Sequence, residues 1–133
     1  MSPQEIIFRF YELVVQGDMA GAEALVHPEF VGEEAVSLPY GGTYKGLEGW
    51  RNLLTTVGSV FTEFLPTVEY ALTDETGTRV IVMVSLTGRS IKTGERFATS
   101  MLELWELRDG LISAVRPYYW DTHLLRRVSG MVD

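Results

Sequence analysis

The 133-residue sequence contains no cysteine, only two histidines and few basic residues. Without cysteine no disulfide can form, which fits a reducing, cytoplasmic location. His27 and His123 are far apart in sequence, and neither has a second His or a carboxylate at metal-ligand spacing, so we expect no metal site. The 11 Lys and Arg residues are outnumbered by 18 Asp and Glu residues. The resulting net charge of −7 argues against nucleic acid as a partner.

Long hydrophobic runs are also missing, since nowhere do apolar residues form the ~20-residue stretch that a membrane span needs. The segment MSPQEIIFRF carries acidic Glu5 and no basic stretch before an apolar core, so we expect no secretory signal. No G-x-S-x-G motif occurs, and the Gly41-Gly42 pair lacks the lysine and the strand-turn-helix frame of a phosphate loop. We therefore expect no membrane, nucleotide or other cofactor as a partner. The 46% hydrophobic content predicts one folded domain over residues 1–133.

Three helices are predicted in the first half of the chain. Ser2, Pro3 and Glu5 form a capping box that begins the first helix, and Gly17 ends it. Asp18 is the expected N-cap of a second, short helix over about 19–25. Apolar residues at helical spacing predict the first and third helices. These residues are Ile6, Ile7, Phe10, Leu13 and Val14 in the first helix, and Leu47, Trp50, Leu54 and Val57 in the third.

Alternation with a period of two then indicates strands. A first strand is predicted over 30–37, and the Gly- and Pro-rich run SLPYGGTYKG over 37–46 predicts an ordered loop. From Pro66 onward, three turn signals divide the chain into four strands joined by hairpins. A short terminal helix or tail is predicted over 122–131. The order of elements is typical of an α+β fold, with three N-terminal helices packed on a curved, mostly antiparallel sheet.

Two of the predicted strands, 79–89 and 97–107, are apolar on both faces. Three short helices can cover only one face of a sheet, so we expect a second subunit against the other face. The alternative is that aliphatic residues are simply scattered over the exposed face, as on many monomers.

Two carboxylates are candidates for chemistry. Glu103 shares its strand face with Met101 and Trp105; if that face is concave, desolvation raises its pKa and makes it an acid or a hydrogen-bond donor. An assignment shifted by one residue would instead place Glu103 on the outer surface. Asp121 follows an aromatic strand, where it could act as a general base in a cavity. It is equally well placed to act as the N-cap of the terminal helix.

Aromatic residues are numerous for this length, and most are expected in the core. Some should line a ligand cavity, because buried tyrosine hydroxyls need hydrogen-bond partners. The candidate substrate-binding residues are Tyr11, Tyr40, Trp50, Trp105, Tyr118 and Trp120.

The succession of motifs resembles the nuclear transport factor 2-like superfamily, in its SnoaL-like and ketosteroid-isomerase-like branch. The matching segments are 11–18, 25–30, 39–46, 107–112 and 120–121, which together cover most of the chain. The resemblance implies a cone of curved sheet closed by three helices around an internal pocket. It also implies a homodimer that forms through the outer face of the sheet.

The resemblance also implies roles for particular residues. In ketosteroid isomerases a helix tyrosine and a protonated carboxylate form the oxyanion hole, and an aspartate after the first strand is the base. Glu103 matches the protonated carboxylate, the tyrosine position falls on Phe10 with Tyr11 one residue away, and the base position near 37–38 holds no carboxylate. In SnoaL-like cyclases the acid/base is an aspartate before the final segment, which Asp121 matches.

These matches favour a cofactor-independent enzyme that acts on a mostly apolar small molecule bearing a carbonyl. In this hypothesis Asp121 is the general acid/base, and Glu103 with Tyr40 or Tyr118 holds the substrate oxygen. The alternative is a non-catalytic ligand-binding or dimerisation module of the same fold. An epoxide-hydrolase-like activity ranks third, because the strands provide no second aspartate for an Asp-Arg-Asp relay.

Overall fold

The computed structural model describes residues 1–132, so Asp133, the last residue of the predicted domain, lies outside the described part. Four helices and six strands follow one another along the chain. Their bounds are α1 (Pro3–Val15), α2 (Met19–Glu23), β1 (Val26–Glu34), β2 (Gly42–Lys45), α3 (Gly46–Val60), β3 (Phe61–Thr73), β4 (Arg79–Ser90), β5 (Arg96–Arg108), β6 (Leu111–Tyr119) and α4 (Thr122–Val128).

The strands form one curved, unclosed sheet in the order β2-β1-β6-β5-β4-β3. All neighbouring pairs are antiparallel except β1 and β6, which are parallel. After β1 and β2, helix α3 leads the chain to the opposite edge of the sheet, where β3 begins. Strands β3 to β6 then pair one after another, and β6 ends up beside β1. The predicted α+β architecture of helices on a curved, mostly antiparallel sheet is confirmed.

Local sequence signals explain where the helices begin. The Ser2 hydroxyl accepts from the Glu5 amide at 3.2 Å, and the Glu5 carboxylate accepts from the Ser2 amide, which completes the capping box of α1. Asp18 caps α2 by accepting from the Gly21 amide at 2.9 Å. The three predicted helices and the short terminal helix are therefore present with nearly the expected bounds.

Three strand predictions were wrong in their bounds. The first strand, predicted over 30–37, is β1, which begins earlier and ends at Glu34. The predicted loop over 37–46 contains strand β2, which is only four residues long and pairs with β1 through Tyr44 opposite Gly32. Strand β3 begins at Phe61 rather than at Pro66, because β3 is an edge strand and an edge tolerates a residue without an amide hydrogen. A bulge between Thr62 and Leu65 also interrupts its pairing with β4, and Glu63 there has a positive φ of 53°.

The core lies between the helices and the concave face of the sheet. On β4, Val80, Val82, Val84 and Leu86 are fully buried on this face, while Ile81 points to the opposite, outer face and is 40% exposed. The alternation continues on β5, where Met101, Glu103 and Trp105 are buried and Leu102 is exposed. Within residues 1–132, no helix is both long and apolar enough to span a membrane.

Candidate active site

A cavity of about 610 Å³ opens between the helices and the concave face of the sheet. Its walls come from α1 and α3 on one side and from β1, β3, β5 and β6 on the other, with apolar side chains in the majority. The charged side chains that line it are those of Glu34, Glu63 and Glu103. No Lys, Arg or His occurs among the lining residues that the structure describes.

Glu103 lies in the wall of this cavity, between Met101 and Trp105 on β5. Its side chain faces the cavity because Val82 and Pro117, its cross-strand neighbours on β4 and β6, also belong to the concave face. Burial raises the pKa of Glu103 to about 8. At neutral pH the group is therefore mostly a protonated carboxylic acid, which can donate a hydrogen bond. Its Oε1 atom has no hydrogen-bond partner among residues 1–132.

Two further buried polar groups in the cavity wall have no partner within the described chain, namely the hydroxyl of Tyr11 and the indole N–H of Trp105. Tyr11 lies on α1, and its ring packs edge-on against Trp105 with a centroid distance of 5.9 Å. Trp105 shares the concave face of β5 with Glu103, two residues away. Buried polar atoms are normally hydrogen-bonded, and these three atoms without a partner within residues 1–132 all belong to residues that line the cavity.

A second carboxylate, Glu34, lies partly buried at the end of β1, and nothing in the sequence analysis had singled it out. Its Oε1 accepts a hydrogen bond of 2.9 Å from the hydroxyl of Tyr119 on β6. Tyr119 in turn accepts a hydrogen bond of 3.1 Å from the hydroxyl of Tyr40. Burial raises the pKa of Glu34 to about 7, although the hydrogen bond from Tyr119 opposes this rise. Glu34 therefore titrates near neutral pH.

The sheet register shows how the two carboxylates are related. Glu103 is opposite Pro117 on β6, and Gly32 on β1 is beside Val115. Because β1 and β6 are parallel, the same register continued by two residues places Glu34 beside Pro117. One strand thus separates the two glutamates, which corresponds to about 10 Å between their backbones at ~4.8 Å per strand. A small molecule in the cavity can contact both carboxyl groups.

The other predicted site residues are distributed as follows. Trp50 on α3 is buried and lines the cavity, as do Tyr11 and Trp105. Tyr40 is only 1% exposed and lies behind Tyr119 rather than in the cavity wall.

Besides Tyr40, three further predicted site residues lie outside the cavity wall. Asp121 is the N-cap of α4, where its Oδ1 accepts from the Leu124 amide at 3.0 Å, and it is outside the cavity wall. Tyr118 is 53% exposed on the outer face, because Pro117 and Tyr119 occupy the concave face of β6. Trp120 is 85% exposed, because it follows the last residue of β6 and lies beyond the wall.

The described residues contain no cluster of side chains with the composition of a metal site. Among residues 1–132, no three His, Asp or Glu side chains are grouped closely enough to hold an ion. The chemistry that the site can perform with its own residues is proton transfer at two carboxyl groups and hydrogen-bond donation from three groups.

A curved, unclosed sheet that carries helices on its concave face is the fold of the nuclear transport factor 2-like class. The chain belongs to the SnoaL-like domain family, whose model matches residues 7–115. The resemblance seen in the sequence is thereby confirmed. None of the curated proteins matches the chain significantly.

Solved structures agree with the fold. An NTF2-like protein of unknown function from Burkholderia pseudomallei has a TM-score of 0.88 at 19% identity, covering 98% of this chain and 99% of its own. TerC, co-crystallised with polyporic acid, has a TM-score of 0.85 at 20% identity, with 96% and 97% covered. A provisionally named polyketide cyclase from Pseudomonas putida has a TM-score of 0.79 at 14% identity, with 96% and 98% covered. At these identities the likeness shows the fold alone.

Proposed function

We propose that the protein is a cofactor-independent enzyme that performs acid/base chemistry on a neutral, mostly apolar molecule bearing a carbonyl. The observation that carries this proposal is the pair of glutamates, Glu34 and Glu103, whose pKa values are raised by burial in one apolar cavity. Active sites are where such shifts are most often found. Membership of the SnoaL-like family and the ligand of the TerC structure, polyporic acid, support a small organic substrate.

Glu34 is the proposed general base. A pKa of about 7 leaves a substantial fraction of the group ionised at neutral pH and still basic enough to accept a proton from carbon. In the proposed step a C–H bond next to the carbonyl breaks, its proton passes to Glu34, and its electron pair becomes part of an enolate. Return of the proton to a different carbon gives isomerisation. Attack of the enolate carbon on a second carbonyl of the same molecule forms a new C–C bond and turns that carbonyl oxygen into an alkoxide. The alkoxide then takes the proton back from Glu34, which completes a cyclisation.

Glu103, Tyr11 and Trp105 are the proposed donors to the substrate oxygen. As the enolate forms, negative charge develops on that oxygen, and donors held in a dry cavity stabilise this charge strongly. Glu103 can act in this way because burial keeps it protonated at neutral pH. Asp121, which caps α4, has no part in this mechanism.

The substrate is proposed to be uncharged at its buried end. The cavity is lined by three glutamates and by no basic side chain within residues 1–132. A buried carboxylate or phosphate group on the ligand would have no cation to pair with and would be repelled by ionised Glu34.

Deuterium exchange provides a test that does not require the natural substrate. The protein is incubated in deuterium oxide with 2-tetralone, a neutral bicyclic ketone with acidic C–H bonds, and deuterium incorporation is followed by proton NMR. We expect catalysed exchange that is fastest between about pH 7 and pH 8. Glu34→Gln should slow the exchange by roughly 10²–10⁴-fold through loss of the base.

A neighbouring glutamate on the outer face, Glu33, provides a matched control. Glu33→Gln changes the residue next to Glu34, but Glu33 pairs with Arg116 at 2.7 Å on the opposite face, so exchange should be unchanged. Exchange by the wild-type protein that does not exceed the buffer rate, with 2-tetralone bound, would favour the non-catalytic binding module. Equal rates in Glu34→Gln and wild type would exclude Glu34 as the base.

A further inference from the structure

A chain of three hydroxyl and carboxyl groups ends at Glu34. The Tyr40 hydroxyl donates to the Tyr119 hydroxyl at 3.1 Å, and the Tyr119 hydroxyl donates to Glu34 Oε1 at 2.9 Å. Tyr119 lies at the end of β6, next to the end of β1, and Tyr40 lies in the loop between β1 and β2. Residues from three separate segments therefore form one hydrogen-bonded chain that ends at a carboxylate.

The Tyr40 end of this chain does not reach solvent. Tyr40 is 1% exposed, and its hydroxyl uses its proton in the bond to Tyr119. The backbone carbonyl of Tyr40 accepts a hydrogen bond of 2.8 Å from the Tyr44 hydroxyl, which ties the loop to β2. A proton that entered the chain at Glu34 would have no exit at Tyr40. The chain therefore has no route to solvent through Tyr40, and its other end is the bond from Tyr119 to Glu34.

The hydrogen bond to Oε1 also distinguishes the two oxygens of Glu34. Within residues 1–132, Oε2 makes no hydrogen bond, and the Glu34 side chain lines the cavity. A glutamate has several rotatable bonds, so a free side chain would sample many orientations in a cavity of this size. With Oε1 fixed by Tyr119, Oε2 is the oxygen left to face a ligand.

The groups around Glu34 identify what can affect its charge. Tyr119 on β6 and Tyr40 in the adjoining loop are the titratable groups coupled to it. The α3 residues that line the cavity are uncharged, and Glu33 on the same strand pairs with Arg116 on the outer face. Across the cavity, the pKa of Glu103 is set by burial alone. Tyr119 is thus the direct polar contact of the Glu34 side chain within the described chain.

We propose that Tyr119 is a positioning residue that fixes Glu34 Oε1 and stabilises the ionised form of the proposed base, with Tyr40 supporting Tyr119 from behind. This inference rests on the proposed function of Glu34. The direction of the effect follows from the geometry, because a hydroxyl that donates to a carboxylate favours its charged form. Loss of the Tyr119 hydroxyl should therefore make Glu34 a stronger proton acceptor but leave less of it ionised at neutral pH.

Carbon-detected NMR titration of the glutamate side-chain carboxyls tests the proposal in the intact protein without any ligand. Tyr119→Phe should raise the pKa of Glu34 by about 1, as expected for the loss of one hydrogen bond to a charged group. Tyr40→Phe should raise it by less, because its hydroxyl acts through Tyr119. Tyr44→Phe is the comparison variant: it removes a part-buried tyrosine hydroxyl that is bonded to the backbone carbonyl of Tyr40, so it should change the Glu34 titration less than Tyr119→Phe does.

An unchanged Glu34 titration in Tyr119→Phe would overturn the proposal, as would equal shifts in Tyr119→Phe and Tyr44→Phe. The titration requires no turnover, so its result is separate from the deuterium-exchange test. If Tyr119→Phe shifts the titration while Glu34→Gln retains full exchange activity, the proposed function fails and the positioning of Glu34 stands. If the exchange depends on Glu34 but the titration does not depend on Tyr119, only the positioning role fails.

Discussion

Glu103 places an ionisable group where an apolar residue would ordinarily be buried. Its cross-strand neighbour on β4, Val82, is fully buried, and Glu103 itself is only 8% exposed. The cost of burial falls on the charged form, which is why its pKa rises from 4.5 to about 8. The folded protein should therefore become less stable toward unfolding when the pH is high enough to ionise Glu103.

This loss predicts a pH-dependent stability that Glu103→Gln removes. Below about pH 4.5 the group is protonated in both the folded and the unfolded chain. As the pH rises toward 8, the unfolded chain releases this proton first, so the free energy of unfolding falls. From pH 5 to pH 9, the stability of Glu103→Gln relative to wild type should increase by about 4 kcal/mol.

Urea denaturation at several pH values measures this difference. Glu106→Gln is the control, because Glu106 lies on the outer face of the same strand and pairs with Arg79 at 3.2 Å in a solvent-exposed position. Parallel pH curves for Glu103→Gln and wild type would show that Glu103 ionises normally in the folded protein.

The sequence could identify Glu103 but not Glu34, and the reason is the context of each. Glu103 interrupts an apolar face, so strand alternation alone makes it conspicuous. Glu34 follows another glutamate at the end of a strand, where a pair of acids looks like a solvated surface. The alternation of Phe30, Gly32 and Glu34 on one face was the available signal.

The wrong placement of Tyr118 and Trp120 in the cavity comes from assigning the end of β6 to the wrong face of the strand. Among Tyr118, Tyr119 and Trp120, all three are aromatic, so composition cannot show which one faces the cavity. The register does show it, because Tyr119 is opposite Met101 on the concave face of β5. A shift of one residue exchanges the two faces of a strand.

At the scale of the elements, α3 is held closely against β2 through a glycine. A Cβ atom at Gly49 would lie 2.7 Å from the backbone carbonyl carbon of Tyr44, closer than atoms normally approach. A backbone atom cannot move aside as a flexible side chain can. Gly49 thus sets the distance between this helix and the short strand that precedes it.

We expect Gly49→Ala to destabilise the protein by about 1–3 kcal/mol, as overpacking usually does. Gly58 lies on the same helix and has nothing within 4 Å of a built Cβ. Gly58→Ala should instead stabilise the protein by roughly 0.5–1 kcal/mol, because alanine is the better helix former. Thermal denaturation of both variants gives the comparison, and a stabilised Gly49→Ala would contradict the close packing.

The helices were predictable because their signals are local, whereas β2 was not. Ser2 and Asp18 mark helix starts within a few residues of sequence. The strand at Gly42–Lys45 exists only because β1 lies beside it, and its glycine-rich surroundings indicate a turn. Its pairing is a long-range property that no window of the sequence contains.

At the scale of the whole molecule, the outer face of the sheet carries several exposed apolar side chains. Register places two rows of side chains across four adjacent strands, from β6 to β3. One row is Tyr118, Leu102, Met83 and Tyr70, and the other is Arg116, Leu104, Ile81 and Leu72. Several of these apolar residues are 40% or more exposed, which makes the face a candidate surface for a second copy of the chain.

A homodimer through this face is the prediction, and sedimentation velocity at micromolar concentration measures it. Leu102→Lys, at the centre of one row, should yield a monomer, because a lysine on both copies places charge in the centre of the interface. Val36→Lys is the control, since Val36 is 89% exposed in the loop after β1 and lies away from the sheet face. A monomeric wild-type protein would mean that the aliphatic residues of this face are simply exposed.

The bulge at the start of β3 makes this edge of the sheet a poor template for pairing with a strand of another molecule. An edge strand offers a row of unpaired backbone groups on which a neighbouring chain can add a strand and begin to aggregate. On β3, the kink at Glu63 turns the backbone out of line, and Pro66 cannot donate a hydrogen bond. A strand from another molecule would find no continuous ladder there, so the feature that shapes one rim of the cavity also protects the sheet edge against fibril-like growth.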